Sequence, residues 1–172
     1  MRTDANARKV VFERLVQLCR RGASPILCAD GRPPKEKRQT LRDRFEQRHG
    51  YAGGGASSAV SFATLSDQCR EIAASLGIPT ISKSRSEDEE AEGEARCAAL
   101  CAAGFADAVI SEDVDALVLY EAPLLIRNVE FKQHDAVSFE LINLQAVKTK
   151  LHLNMKGSLA ALSLLLGTDY GR

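Results

Sequence analysis

The feature that most constrains the fold is a group of three carboxylates set between two apolar runs, in the stretch FADAVISEDVDALVLY. The first run, 108–110, predicts a short buried strand, and the second returns to core composition. Glu112, Asp113 and Asp115 lie between them. Like charges at this spacing repel one another, and removing them from water costs further free energy. The segment therefore folds either with these acids in solvent at a loop or with a cation beside them.

Short apolar runs alternate with helical periodicities along the chain. Strands are predicted at 25–29, 78–81, 108–110 and 124–131, and helices at 7–21, 35–48, 65–76, 91–103, 144–151 and 157–166. Helices that alternate with short buried strands favour an α/β fold with a mostly parallel sheet. Ligands of such sheets collect at the carboxyl ends of the strands, where Asp30, Asp113 and Asp115 stand.

The charges balance overall but are segregated along the chain. There are 23 Lys and Arg against 23 Asp and Glu, with basic residues concentrated in 32–48 and acids in 87–94. Zero net charge argues for neither a nucleic acid nor a basic partner. No apolar run reaches about 18 residues, so no membrane span is expected, and the N-terminus lacks the apolar region of a signal peptide.

The five cysteines are odd in number and contain no CxxC pair. Cys97 and Cys101 lie four residues apart, which puts both on one helix face. Packing in the core explains them better than zinc, because zinc ligands usually have tighter spacing and two further partners. Reduced thiols fit a cytosolic or nuclear protein.

Carboxylates recur at the ends of the predicted elements. The set comprises Asp30, Glu92, Glu94, Asp113, Asp115 and Asp169. Hard oxygen ligands suit Mg²⁺ or Mn²⁺, and two such ions about 4 Å apart can activate water against a phosphodiester. Each acid also has a plain structural explanation as a turn residue, an N-cap or a partner of a helix dipole. The pattern alone leaves both interpretations open.

Four phrases in order resemble the XPG/flap endonuclease family of structure-specific 5′ nucleases. They are CADGRPPKEKRQTLRDR, GIPTIS, EGEARCAALCAAGFADAVISEDVDALVLYEAPLLIRNV and LLLGTDY. Each phrase is short, but their order and their spread over nearly the whole chain make the resemblance specific. The short link after Arg48 and the phrase LQAVKTKLHLNMKGSLAALSLLLGTDY lean towards the Holliday-junction resolvase branch.

The resemblance implies a PIN-like, three-layer α/β domain that hydrolyses flapped or branched DNA with two Mg²⁺ ions, or Mn²⁺ in their place. It implies the six carboxylates above as metal ligands. Lys37 and Arg44 would address the scissile phosphate as catalytic residues, and seven residues of spacing lets both face one way on a helix. The DNA-binding residues would be Arg32, Lys35, Lys37, Arg38 and Arg44. A role in DNA repair or replication places the protein in the nucleus, with the mitochondrion as the alternative.

The resemblance also divides the chain. Residues 1–50 correspond to a partial N-terminal region, 51–64 to a flexible link that stands for a short arch, and 65–172 to the internal region. Relative to the family pattern, an N-terminal strand with a further essential Asp and the helix-turn-helix beyond Asp169 are missing. The expected fold is therefore N-terminally truncated.

Two other functions remain open from the sequence. The missing elements favour a catalytically impaired fragment or paralogue that acts as a nucleic-acid-binding module. A phosphatase-like α/β domain with Asp113 as nucleophile is a third interpretation, although no basic and hydroxyl partner set accompanies it.

Overall fold

The computed structural model describes residues 2–30, 43, 66–81, 92–134 and 136–167. The chain divides into two compact units, Met1–Ala29 with Gln39–Glu87 and Asp30–Arg38 with Asp88–Arg172. Among the described residues, no helix is long and apolar enough to cross a membrane.

The first unit packs two helices against a small parallel sheet. Helix α1 spans Arg2–Arg20, strand β1 Leu27–Cys28, helix α2 residues 66–75, and strand β2 Thr80–Ile81. The strands pair in parallel, with Leu27 opposite Thr80. The buried core of this unit consists of Leu15, Ala73 and Ile78. One apolar stripe on each helix therefore covers a two-stranded sheet.

The second unit carries the remaining elements. These are α3 Gly93–Ala102, β3 Val109–Ile110, α4 Asp115–Val118, β4 Leu124–Phe131, β5 Val137–Asn143, α5 Leu144–Lys150 and α6 Ser158–Leu166. Their strands form one sheet in the order β3-β4-β5. Strands β3 and β4 are parallel, with Val109 opposite Leu125, and β4 and β5 form an antiparallel hairpin.

Helix α3 ends in a motif that the sequence dictates. Gly104 has a φ of 77°, a left-handed conformation that glycine adopts without steric cost. The amide of Phe105 donates to the carbonyl of Leu100, and the amide of Gly104 donates to that of Cys101. This Schellman arrangement satisfies the last carbonyls of the helix and turns the chain towards β3. Gly22 ends α1 in the same way.

The core of the second unit lies on one face of its sheet. The buried residues are Ala98, Cys101, Val109, Ala116, Leu117, Ala122, Leu125 and Leu159. They come from α3, β3, α4, the turn after α4, β4 and α6, so the helices meet on that face. Cys101 is buried in this cluster and Cys97 packs against it, as the core-packing interpretation predicts for that pair, whereas Cys19 is exposed.

A bulge interrupts the β4–β5 hairpin. The register shifts between Arg127 and Glu130, where β4 holds one residue more than β5. Asn128 occupies the bulge with a φ of 51°, a conformation that Asn tolerates better than most side chains. Strand β5 presents Phe139 and Leu141 to solvent. Its apolar alternation is therefore a strand signal but not a burial signal.

The structure confirms the predicted α/β class and the parallel pairings. The predicted strand at 124–131 matches β4, and the predicted helices at 91–103, 144–151 and 157–166 match α3, α5 and α6 closely. Two elements differ from expectation. Strand β5 is not among the predicted strands, and the apolar run after Asp115 forms the short helix α4. The predicted basic helix at 35–48 lies outside the described residues, apart from residue 43.

Candidate metal centre

Asp30 belongs to the second unit and is hydrogen-bonded to the amino end of α3. Asp30 follows β1 by two residues, and its Oδ1 accepts a hydrogen bond of 2.7 Å from the amide of Gly93. Gly93 is the first residue of α3, where backbone amides lack partners within the helix. The helix dipole also favours a carboxylate there. Asp30 is thus fixed at a helix start that lies 63 residues away in sequence.

Glu92 occupies the N-cap position of α3 but does not cap the helix with its side chain. Its backbone is extended, with φ −83° and ψ 149°, and its side chain makes no capping hydrogen bond. Instead Glu92 Oε2 accepts a hydrogen bond of 2.7 Å from the hydroxyl of Tyr120. The carboxylate is therefore oriented by a residue that follows α4, on another segment of the unit.

Glu94 lies in the first turn of α3, and neighbouring acids affect its pKa. Burial raises the pKa of Glu94 above its usual value, and a backbone hydrogen bond opposes part of that rise. The negative charges of Asp30, Asp113 and Glu92 raise the pKa further. Four predicted ligands from three segments of the chain therefore share one electrostatic neighbourhood.

Asp113 and Asp115 lie where β3 gives way to α4. The amide of Asp113 donates to Ser111 Oγ over 3.1 Å, and the amide of Asp115 donates to Asp113 Oδ1 over 3.0 Å. Asp115 is the first residue of α4, so the backbone between these acids is not the extended one that would place both on one side. The charge of Asp113 acts on Glu94, and Asp115 is the first residue of α4.

The cluster is not a closed metal cage. In the part of the chain that the structure describes, no three Asp, Glu, His or Cys side chains converge tightly enough to hold an ion. The donor chemistry nevertheless fits a hard divalent cation, because all candidate ligands are carboxylates and their mutual repulsion is only partly relieved. Asp169, Arg32, Lys35, Lys37, Arg38 and Arg44 lie outside the described residues, and their assigned roles stay predictions.

Three acidic or aromatic residues that make contacts in the second unit were not predicted as site residues from the sequence. Both oxygens of Glu112 accept from the amide of Asn128, at 3.2 and 3.3 Å, which ties the loop after β3 to the bulge of β4. Tyr120 holds Glu92. Glu121 lies opposite Lys148, with 2.6 Å between Oε1 and Nζ. An Asn within the apolar run 124–131 was the available sequence signal for the partner of Glu112. No local feature of the sequence marks the partners of Tyr120 or Glu121.

Comparisons with known proteins agree on one group of nucleases. Residues 88–169 match the family model described as the XPG I-region. Flap endonuclease 1 of Brugia malayi is 30% identical over 93% of this chain and 44% of its own length. The human flap endonuclease 1 is 28% identical over the same shares. The chain spans under half the length of these relatives.

Solved structures give the same result for the fold. Human GEN1 in complex with Holliday junction DNA has a TM-score of 0.72 and 27% identity, over 94% of this chain and 38% of that one. The catalytic core of Rad2 in complex with a DNA substrate has a TM-score of 0.68 and 28% identity, over 94% and 47%. The described α/β arrangement is similar to these nuclease cores.

Proposed function

Because the chain carries an XPG I-region and is related to the flap endonucleases, we propose that it is a structure-specific DNA endonuclease. Its substrates are 5′-flapped or branched DNA, and the reaction is hydrolysis of a phosphodiester with the help of a divalent cation, in repair or replication. The observation that carries the proposal is the match of residues 88–169 to the XPG I-region, in the same unit where the charges of Asp30, Glu92 and Asp113 raise the pKa of Glu94.

The carboxylates are suited to hold Mg²⁺, with Mn²⁺ as a substitute. Asp30, Glu92, Glu94 and Asp113 supply hard oxygen donors, and Asp115 and Asp169 complete the proposed set for two ions. When bound, the ions supply Lewis-acid stabilisation of the phosphate and activation of a water molecule. The protein's own part is to hold these acids close together in spite of their repulsion. The raised pKa of Glu94 is consistent with that tension.

The basic segment is proposed to bind the DNA. Lys37 and Arg44 would contact the scissile phosphate, while Arg32, Lys35 and Arg38 would neutralise neighbouring phosphates. Each neutralised phosphate releases counterions, so binding should weaken steeply as salt is added. These five positions lie within the 13 residues 32–44 of a chain of zero net charge, which concentrates positive charge locally.

The test is cleavage of labelled 5′-flap and four-way-junction DNA in Mg²⁺ and, separately, in EDTA. We expect incision in Mg²⁺ only, and we expect Glu94→Gln to lose it. Glu71→Gln is the matched control, because it makes the same change at an exposed position of α2 in the other unit. Equal activity in EDTA, or full activity of Glu94→Gln, would contradict the proposal.

A second candidate is a nucleic-acid-binding module without turnover. It is favoured by one observation, the lack of three converging ligand side chains among the described residues. In that case the chain would shift the mobility of junction DNA in EDTA and in Mg²⁺ alike without cutting either substrate. The same samples therefore separate the two candidates.

The nucleus is the proposed location, since the substrates are chromosomal structures, and the mitochondrion is the alternative. A fluorescent fusion viewed against nuclear and mitochondrial markers decides between them. Exclusion of the fusion from both compartments would count against a DNA substrate in the cell.

A further inference from the structure

Three acids of the cluster accept hydrogen bonds from neutral donors. Asp30 is held by the amide of Gly93, Asp113 lies in a turn with the amide of Asp115, and Glu92 is held by the hydroxyl of Tyr120. A neutral donor fixes a carboxylate without cancelling its charge. A lysine or arginine in the same place would compete with a cation for that charge.

Tyr120 is the side chain that joins two acid-bearing segments of the site. Its hydroxyl reaches Glu92 at the start of α3, 28 residues away in sequence. Its own amide donates to the carbonyl of Asp115 over 3.2 Å, so its backbone is attached to the helix that Asp115 begins. Tyr120 also packs against the buried cluster of the second unit. Through Tyr120, the side chain of Glu92 is therefore attached to the segment that carries Asp113 and Asp115.

The residue after Tyr120 fixes the same turn from the other side. Glu121 has a φ of 54°, and its carboxylate accepts from Lys148 Nζ over 2.6 Å and from the amide of Gly157 over 3.0 Å. These contacts attach the turn to α5 and to the start of α6. Because this turn is already fixed, Tyr120 loses little further conformational entropy when its side chain orients Glu92.

We propose that Tyr120 is a positioning residue that orients the Glu92 carboxylate for binding of a divalent cation. The proposal rests on the proposed metal-dependent function. Hydrogen-bond partners of metal ligands restrict the ligand and preserve its charge, and their loss typically costs about 10- to 100-fold in metal affinity or activity. Removing one hydroxyl in Tyr120→Phe should therefore lower Mg²⁺ affinity about 10-fold, at the lower end of that range.

The experiment measures Mg²⁺ binding by isothermal titration calorimetry on the wild type and on Tyr120→Phe, without DNA. Tyr51→Phe is the matched control, since it removes the same hydroxyl from a tyrosine that is not among the predicted site residues. We expect the dissociation constant to rise about 10-fold for Tyr120→Phe and to stay unchanged for Tyr51→Phe. Cleavage by Tyr120→Phe should recover when Mg²⁺ is raised to saturation, so that the metal requirement changes and the maximal rate does not.

Tyrosine emission supplies a readout that a merely structural role would not move. The chain has three tyrosines and no tryptophan, so the phenols dominate its intrinsic fluorescence. A carboxylate acceptor quenches phenol emission, and a cation on Glu92 should relieve that quenching. We expect Mg²⁺ to increase the emission of the wild type and of Tyr51→Phe, but not that of Tyr120→Phe. Glu92→Gln should show the higher emission before Mg²⁺ is added, and no response to it.

The outcomes separate this inference from the proposed function. Mg²⁺ binding by the wild type that Tyr120→Phe leaves unchanged overturns the role of Tyr120 and leaves the proposed function standing. Loss of thermal stability in Tyr120→Phe with unchanged Mg²⁺ affinity has the same meaning, because it reduces the hydrogen bond to a structural tie. A wild type that binds no Mg²⁺ overturns the proposed function and this inference with it.

Discussion

Glu94 and Glu121 lie in the same unit and have pKa values displaced in opposite directions. Burial and the charges of three other acids raise the pKa of Glu94. A hydrogen bond from Lys148, a second from the amide of Gly157 and the nearby charges of Lys148 and Lys156 lower the pKa of Glu121, against a small opposing effect of burial. The contacts of ionised Glu121 therefore stabilise the fold, whereas the surroundings of ionised Glu94 destabilise it. An acid kept in surroundings that disfavour its ionised form is characteristic of a functional site.

Activity should show the largest difference between the two acids. Glu94→Gln should reduce Mg²⁺-dependent cleavage by more than about 100-fold, because losing an outer partner of a ligand already costs about 10- to 100-fold. Glu121→Gln should retain most of its activity at a temperature where it is folded. Single-turnover cleavage of junction DNA measures both. Similar rates for the two variants would break the distinction between them.

Stability should reverse that order. Glu121→Gln leaves Lys148, which is 12% exposed, without its charged partner, and should lower the free energy of unfolding by about 2 kcal/mol. Glu94→Gln should be neutral or slightly stabilising in EDTA, since it removes a repelling charge. Urea unfolding measures both changes.

Glu130→Gln is the control for Glu121→Gln. Glu130 lies 3.8 Å from Lys132, and both side chains are more than half exposed. Exposed pairs contribute little, so this change should stay within about 0.5 kcal/mol. A loss for Glu130→Gln equal to that for Glu121→Gln would mean that burial of the Lys148 pair does not matter.

Mg²⁺ should sharpen the comparison through linkage. At a concentration about ten times its Kd, the ion should stabilise the wild type by about 1.4 kcal/mol, because it binds only the folded chain. Glu121→Gln should keep this increment and Glu94→Gln should lose it. Thermal unfolding with and without Mg²⁺ provides the measurement, and Ca²⁺-free buffers with EDTA provide the baseline. Equal increments in both variants would show that Glu94 is not a ligand.

The pH dependence of stability should show the smallest effect, and its sign follows from Glu121. Its folded pKa is lowered from the ordinary 4.5, so its stabilising contribution is present above pH 4.5 and is lost as the pH falls through the folded value. The stability difference between the wild type and Glu121→Gln should therefore shrink over that acidic window, whereas protonation of Glu94, whose pKa is raised, acts with the opposite sign in both proteins. Urea unfolding in EDTA across the window tests this. Parallel curves for the two proteins would contradict the lowered pKa.

Much of the second unit could be predicted from sequence because its signals are local. The apolar run of β4 and the glycine that ends α3 both lie within the elements they define. The acids at the ends of elements were also recognisable, and the family phrases gave them a common role. The alternation in β5 was an available strand signal, but the sequence could not show that Phe139 and Leu141 face solvent rather than the core.

The sequence by itself determined most of the helices, which acids stand near their ends, and which family of nucleases the chain is similar to. Only the tertiary structure decided what each acid does. Asp30 meets Gly93 across 63 residues, Tyr120 meets Glu92 across 28, and Glu121 meets Lys148 across 27. Electrostatic energy depends on distance in space, and folding brings these groups together without any regular spacing along the chain. Glu94 and Glu121 are the same residue type in the sequence, but in the folded chain their pKa values are displaced in opposite directions.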